Sequence, residues 1–580
     1  MKRSPALILS LVLLVSMIAA CRNNSGDTPS PSTPAPVTGN GNGAATDIVD
    51  PEPGIVNFTF YDEDGEKDKP WITPVALEIT ALTGVELTYE RPVGGADVMI
   101  PLMIAASVYP DLIYGKSTGS KQLLEANVLL KLDDYIDNST YLKDFYGDLI
   151  GRMRAGEADP HIYSVGAYPI YDPKWQPSSE IGIQLAVLEE FGYPDVRTIY
   201  EIEPLLIDYK EKYPEIDGRP TFGFSLNNTD SWCNITNDWR NIINAGNPSG
   251  PVAGYPDHGE WIIEEQDLSA SIKYLDPGVK EYFRWMNKMW NLGMIDPDSW
   301  TQIYDVWKSK ITNGQVLALV SPNWQDNELE QSLRQEGLDN RTYARMPINN
   351  DRSTVSKIRY DFGWPGSWGV GITVACFDPD RAFAFLDWMC SDESQILRYW
   401  GIEGVHYEYT DGVRTQFPDV QSKRATDPDY INGQGLDWVY PFPERGNGKL
   451  DPTGNTYSPL TPETIIENYS NETKRALAAY DKTMWADFFP PPETWPTSRL
   501  PGPAWLIDIP VDTELNDFMH TIQHTLVPLM IPAAIVASPD QFDIKWDEFI
   551  QAINDYDVTA MHAGFTDLVR NASKIIGMYP

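Results

Sequence analysis

Few residues in this chain have the types and spacing to do chemistry. His520 and His524 stand four apart on a predicted helix, the spacing that puts two imidazoles on one face. The glutamate that a zinc-hydrolase helix carries between its histidines is absent, so the pair reads as structural. Gly366-Ser367-Trp368-Gly369 sets a serine among turn residues, but Pro365 stands where a nucleophile elbow needs glycine. No Gly-x-x-x-x-Gly-Lys phosphate loop occurs. The pairs Asp133-Asp134 and Glu189-Glu190 offer carboxylates for acid–base work. In a chain with 83 acidic residues such adjacency carries no meaning, because glycoside hydrolysis depends on a separation in space. The loop Asp62-Glu63-Asp64-Gly65-Glu66 fails as a calcium loop: its glycine comes too early and no glutamate closes it. We therefore expect no catalytic residue, no metal and no cofactor. The aromatic residues say more. There are 19 tryptophans and 30 tyrosines, and Trp175, Trp232, Trp239, Trp324, Trp364, Trp368 and Trp438 lie beside Gly, Pro or Asn on predicted loops. Sugar rings present apolar C–H faces and polar rims, which an aromatic face with amide or carboxylate partners would match. Trp285, Trp388 and Trp546 fall at helical spacing and are expected in the core.

The elements that must position these residues alternate between strand and helix. Ile55 to Tyr61 alternates like a strand, Pro74 to Thr83 is a helix ended by Gly84, and Val85 to Tyr89 is a strand. Val98 to Ala106 is helical and Asp111 to Tyr114 is a short apolar strand, a pattern that predicts a parallel βα sheet. Gln122 to Asn127, Leu132 to Ile136, Ile181 to Phe191, Ile202 to Lys212 and Val279 to Leu292 read as helices. Ile162 to Val165, Phe222 to Leu226, Gln315 to Val320 and Gly369 to Val374 read as strands. With 580 residues and 42% hydrophobic content, two or more domains with sizeable cores are expected. The fold class is α/β in two lobes.

The balance of 44 basic and 83 acidic residues gives a net charge of -39. That excludes non-specific nucleic-acid binding, which needs a basic footprint, and fits a solvated surface. Met1, Lys2 and Arg3 precede an apolar run, Leu7 to Val15, too short to span a bilayer, which reads as a signal peptide. Ile18-Ala19-Ala20-Cys21 resembles a bacterial lipobox, which implies cleavage before Cys21 and diacylglycerol on its thiol. Residues 22 to 53, rich in Ser, Thr, Pro, Gly and Asn, cannot bury enough apolar surface to fold and read as a tether. Its reach lies between roughly 30 Å as a coil and roughly 100 Å fully stretched. Cys233, Cys376 and Cys390 are an odd set without metal-ligand spacing; a Cys376–Cys390 bridge stays open.

Four stretches resemble one family, the lipoprotein type of extracellular solute-binding protein (family 1) that serves ABC transporters for oligosaccharides. They are Ala105 to Ile113 with its Pro110-Asp111 turn, Leu129 to Ile136, Asp387 through Trp400-Gly401-Ile402-Glu403-Gly404-Val405-His406-Tyr407, and Phe542 to Phe549. The resemblance implies a periplasmic-binding-protein-like fold, two lobes with a ligand cleft and a hinge. It implies a non-enzymatic, monomeric receptor on the extracellular face of the cytoplasmic membrane. The receptor would be held by lipid on Cys21 and would hand an oligosaccharide to an ABC permease. Trp364, Trp368, Trp324, Trp232, Trp239, Trp175 and Asp111 are the expected ligand-binding residues. The expected division is 1–20 signal peptide, 21–53 linker, 54–165 with 367–410 first lobe, and 166–366 with 411–580 second lobe. Some relatives carry a calcium loop where this chain has Tyr213 to Pro220, which holds too few oxygen ligands for a cage of six to eight, so calcium is not carried over. A secreted carbohydrate-active hydrolase and a binder of peptides or other small solutes remain as alternatives.

Overall fold

The computed structural model describes residues 54–65, 70–92, 96–155, 159–177, 181–227, 260–264, 266–319, 321, 323–353, 355–356, 359, 368–437, 441–494, 507, 509–510, 513–575 and 577. Strand β1 is Val56–Asp62, helix α1 is Pro74–Thr83 and strand β2 is Val85–Glu90. Local chemistry fixes α1 at both ends. The Thr73 side chain accepts from the Ala76 N–H, Pro74 starts the helix, and Gly84 ends it at φ 66. Helix α2 is Ala96–Ala106, strand β3 is Leu112–Gly115 and helix α3 is Ser117–Glu125. Strand β4 is Ser164–Gly166, and β5 is Gly182–Gln184. Strands β6 and β7 are Ala318–Leu319 and Tyr343–Arg345, and β8 is Gly369–Ile372.

Five strands form one sheet in the order β2-β1-β3-β8-β4. β1 runs parallel to β2 and β3, but β8 lies antiparallel between β3 and β4. The sheet is therefore mixed, not wholly parallel as the alternation of elements predicts. β8 returns to the sheet from a distant part of the chain, so no local crossover fixes its direction. Phe58, Phe60, Leu112, Tyr114 and Val370 face a first core that includes Phe385, Leu386 and Phe442. On the other face, Tyr61 and Ile113 pack with Ile100, Met103 and Leu123 from α2 and α3.

The second core has a smaller sheet, β6-β5-β7, antiparallel throughout. Ile181 to Phe191 is not one helix: β5 comes first and the helix Leu185–Glu190 follows. A short apolar run cannot be typed by periodicity. Here the buried Gln184 Nε2 donates to the Gly314 and Val316 carbonyls at 3.1 and 3.2 Å and pins the strand beside its neighbour. Phe222 to Leu226 pairs through isolated bridges, Phe222 with Val316 and Phe224 with Ile295, and is not a regular strand. Most of the second core is helical: Pro277–Asn291, Phe542–Asn554 and Val558–Ile575 enclose Trp285, Trp546 and Phe565. Glu514–Val536 is long and apolar enough to cross a membrane by composition, yet its Phe518, Ile522, Ile531 and Ile535 are buried in this core.

Among the described residues the chain passes between the two cores three times: after Ala167, before Trp368 and after Phe442. Leu436 and Phe442 pack in the first core, beyond the boundary expected at 410. Cys376 and Cys390 are free thiols. The stretch without enough calcium ligands is a hairpin, Glu215–Ile216 against Arg219–Pro220, turned by Asp217 at φ 50 and Gly218 at φ 73.

Candidate functional site

In open α/β sheets ligands bind outside the carboxyl ends of the parallel strands. In the first sheet that edge is set by pairing. Gly369 sits opposite both Gly115 and Gly166, so the end of β3, the end of β4 and the start of β8 lie together. The same edge carries Asp62, Glu63 and Asp64 at the end of β1, Lys116 after β3, Tyr168 after β4, and Trp368 before β8. The edge adjoins the crossing segments, because β4 runs directly into one and β8 emerges from another.

Trp368 is 8% exposed. Its ring meets Tyr168 edge-on, with centroids 5.5 Å apart, and the Lys116 ammonium lies 5.4 Å from the ring centroid. The indole Nε1–H is buried and finds no acceptor among the described residues. Lys116 forms an ion pair with Asp64. Its backbone N–H donates to Glu63 Oε2 at 2.7 Å, so the Glu63 carboxylate caps the N-terminus of α3. A Cβ on Gly119 would stand 2.5 Å from both Glu63 carboxylate oxygens, so only glycine lets the carboxylate lie over this first turn. Tyr61, wholly buried beneath these acids, has its phenol pushed upward by burial and then by Glu63, Asp62 and Asp64.

A second edge belongs to the second sheet. Leu319 and Arg345 both sit opposite Gly182, at the end of the sheet where β5 begins after the first crossing. The segment Phe222 to Leu226 runs parallel beside β6, with Leu317 N–H bonded to the Phe222 carbonyl and Ala318 N–H to the Gly223 carbonyl. It therefore ends at the same edge, in Asn227. That residue is 0% exposed, and neither atom of its side-chain amide has a partner among the described residues. A direct contact joins the two halves: Lys121 Nζ on α3 donates to the Ile509 carbonyl at 2.8 Å.

The crossing segments are tied to one another. Ala167 N–H donates to the Trp368 carbonyl and Ile170 N–H to the Glu444 carbonyl. Arg359 donates to the Pro173 and Ala486 carbonyls at 3.2 and 3.3 Å. Gly446, at φ 84, lies so close to Tyr171 that a Cβ would overlap its carbonyl oxygen. Fully buried Arg398 donates to the Met389 and Pro443 carbonyls at 2.9 and 2.7 Å. Gln395 bonds the same two carbonyls and accepts from Arg445 N–H, which clamps the third crossing to the first core. Beside it, Glu444 accepts from the Tyr399 hydroxyl at 3.0 Å. Burial pushes the Glu444 carboxyl up to about 7 in spite of the Arg398 charge.

The most family-like stretch, Asp387 to Tyr407, proves to be scaffold. Asp387 accepts from the backbone N–H groups of Thr140, Tyr141 and Leu142. Ile402 N–H donates to His406 Nδ1 at 2.9 Å, so Nε2 carries the proton and donates to Gln434 Oε1 at 3.1 Å. Burial lowers the His406 pKa and keeps the ring neutral.

The residues expected to bind ligand divide sharply. Trp368 is on the first edge. Trp324 lies in the first turn of the helix Asn323–Gln335, a few residues after β6, and its side chain is outside the described ones. Trp232, Trp239, Trp364 and Trp438 lie outside the described residues, as does Cys21. Trp175 is no exposed platform: it is half-buried against Ile465, Met484 and Ala486, with its ring on Gly448. Asp111 precedes β3 and so stands at the opposite end from Lys116. Its carboxylate accepts from Thr59 N–H at 2.9 Å and Thr59 Oγ1 at 2.7 Å, a structural tie between neighbouring strands. The rings of His520 and His524 face each other at 4.6 Å, and no group of three or more metal-capable side chains exists among the described residues. Sequence reasoning passed over Asn227, Lys116 and Glu444. For Asn227 the sequence offers only a polar residue directly after an apolar strand-like run, which does not set it apart from an ordinary loop asparagine.

No family model matches the chain, and no curated protein matches it in sequence. Solved structures do match. The chain is similar to the S. pneumoniae ABC-transporter substrate binding protein FusA (an EF-hand mutant in complex with fructo-nystose) with a TM-score of 0.63 and 13% identity, over 88% of this chain and 98% of that one. An HMO binding, ABC-transporter associated solute binding protein from Bifidobacterium longum infantis matches with a TM-score of 0.62 and 12% identity, over 91% of this chain and 100% of that one. An extracellular solute-binding protein from Bifidobacterium longum subsp. infantis matches with a TM-score of 0.61 and 14% identity, over 90% of this chain and 99% of that one. At such identities the likeness speaks for architecture: this chain has the two-lobed α/β fold of the ABC-transporter substrate-binding proteins.

Proposed function

We propose that the chain is an extracellular receptor that captures an oligosaccharide between its two sheet edges and delivers it to an ABC permease. Each core is one lobe in this reading, with residues 411 to about 458 moved to the first lobe. The three crossings are the hinge, and the lobes close on the ligand as in other hinged binders. Cys21 carries the lipid that holds the monomeric protein at the membrane, and 22 to 53 is the tether. The observation that carries the reading is the pair of sheet edges, one in each core, each with a buried polar group that lacks a partner among the described residues. Trp368 Nε1 lies on one and the Asn227 amide on the other. Native interiors rarely leave such groups unmet, and a ligand rimmed with hydroxyls would meet them. The fold shared with the FusA mutant in complex with fructo-nystose and with the HMO binding protein supports a sugar. Binding rather than hydrolysis is the expected outcome. Calorimetric titration against an oligosaccharide panel, with mass analysis of the recovered sugar, tests it. Saturable binding with sugar returned intact is expected; shortened products, or no binding by any sugar, overturn it.

A further inference from the structure

We infer that the cleft takes an uncharged oligosaccharide and rejects uronates and other acidic glycans, because the chain's own carboxylates already occupy the positive features of its first edge. The inference rests on the sugar-binding reading above and sharpens its ligand class.

An anionic ligand at the carboxyl end of a parallel strand finds two natural partners, the N-terminus of the following helix and any cation beside it. In this chain both exist. The helix is α3, directly after β3, and the cation is Lys116, one residue before it. Both are filled from within. Glu63 Oε2 accepts the Lys116 N–H at 2.7 Å, and Gly119 leaves the space that the carboxylate fills over the first turn. Asp64 takes the Lys116 ammonium in an ion pair. Lys121, on the same helix, gives its ammonium to the Ile509 carbonyl. On the edge of the second sheet Arg345 is 3% exposed and is engaged within the chain, its guanidinium 5.8 Å from the Tyr343 ring centroid. An incoming carboxylate would meet Asp62, Glu63 and Asp64 together at the end of β1, in a protein of net charge -39.

The unmet groups ask for hydroxyls. Trp368 Nε1 is a donor and needs an acceptor. Asn227 presents both a donor, Nδ2, and an acceptor, Oδ1, and neither is paired among the described residues. A hydroxyl both donates and accepts and can serve all three atoms. A carboxylate accepts alone and cannot serve Oδ1, so that atom calls for a hydroxyl. The geometry thus favours a neutral polyhydroxy ligand on both edges.

The experiment titrates the mature chain with neutral sets (fructo-, xylo- and manno-oligosaccharides) and acidic sets (oligogalacturonates and oligoalginates) at low and high salt. At least one neutral sugar should bind about a hundredfold more tightly than any acidic one, with little salt dependence. Asn227→Ala should weaken that neutral sugar about tenfold or more without lowering the melting temperature of the free protein. The double variant Glu63→Gln, Asp64→Asn should gain affinity for the acidic sets. Where that variant melts early, Asp64→Asn alone serves, since it leaves the helix cap in place. Acidic sugars bound as tightly as neutral ones by the wild type would overturn the inference and leave the sugar reading standing. Binding of neither set would remove both.

Discussion

The two cores of this protein are held together by different means. The first hangs on a five-stranded sheet whose margins are tied by buried polar groups. Arg414 and Asp451 form an ion pair with both side chains almost wholly buried, and the Arg414 guanidinium lies 5.4 Å from the Trp400 ring and 5.7 Å from that of Tyr407. Asp387 and Arg398 hold backbone groups from distant segments. The second core has three short strands and is filled mainly by apolar helix packing, with buried polar ties at Gln184 and Asn287. Trp261 and Phe565 stack with centroids 4.3 Å apart, and Trp546 packs among Phe283, Phe542 and Phe549. Directional polar ties fix position, whereas apolar contacts can be lost gradually, so the first half is the better-fixed frame for a site.

The largest expected effects test that contrast directly. Arg414→Ala leaves Asp451 buried without its partner and should cost about 3–5 kcal/mol. Trp546→Ala opens a large cavity and should cost about the same. The difference lies in repair. The double variant Arg414→Met, Asp451→Leu removes both charges and should recover most of the loss. No second truncation near Trp546 can refill its space. Denaturant melts of the variants decide this. A double variant no more stable than Arg414→Ala would mean that the pair is held by its geometry, and the contrast between the cores would fail.

A middle-sized effect concerns the joint between the cores. Glu444 sits at the third crossing, bonded to Tyr399 and near Arg398, Asp172 and Asp437. Its folded pKa is raised to about 7, above the usual glutamate value, so the folded state holds its proton more tightly than the unfolded one. The stability this provides is present in full below the unfolded pKa and is lost as pH rises through 7. Glu444→Gln keeps an acceptor for the Tyr399 hydroxyl and stays neutral. It should match the wild type near pH 5 and exceed it near pH 8, by on the order of 2 kcal/mol. Melts across that range check it. A constant difference between the two proteins would remove Glu444 as the source of any pH response at the joint.

Much of the first half is legible in the sequence. β1 alternates, α1 carries its own cap, and β2 follows Gly84; each is a local signal. The second half resists, and the reasons are physical. β5 is three residues long and holds its place through Gln184, whose partners Gly314 and Val316 lie far along the chain. Periodicity has no means of seeing such a contact. The site divides in the same way. Trp368 is legible as an aromatic among turn residues. Asn227 is not, because an asparagine after an apolar run is ordinarily a loop residue, and what marks it is the absence of partners once the fold has formed. Asp111 shows the reverse case: its turn-then-strand setting looks functional, and in the fold its carboxylate accepts from Thr59 and from Phe377 N–H.

That last residue gives the smallest and sharpest test. Asp111 and Lys116 flank the same short strand at opposite ends, so they report on which end of the first sheet meets ligand. Asp111→Asn keeps an acceptor for Thr59 and removes a charge that assists two hydrogen bonds. The loss of stability should be about 0.5–1.5 kcal/mol. Affinity for the best sugar should not change, because Asp111 lies at the opposite end of β3 from the edge that carries Lys116 and Trp368. Lys116→Ala, at the other end, should change affinity, since its ammonium lies against the Trp368 ring and its removal takes the ion-pair cation from Asp64. Titration of both variants with one sugar, alongside their melts, gives the comparison. If Asp111→Asn weakened binding while Lys116→Ala did not, the ligand would lie at the amino end of β3, and the edge built around Trp368 would be structural.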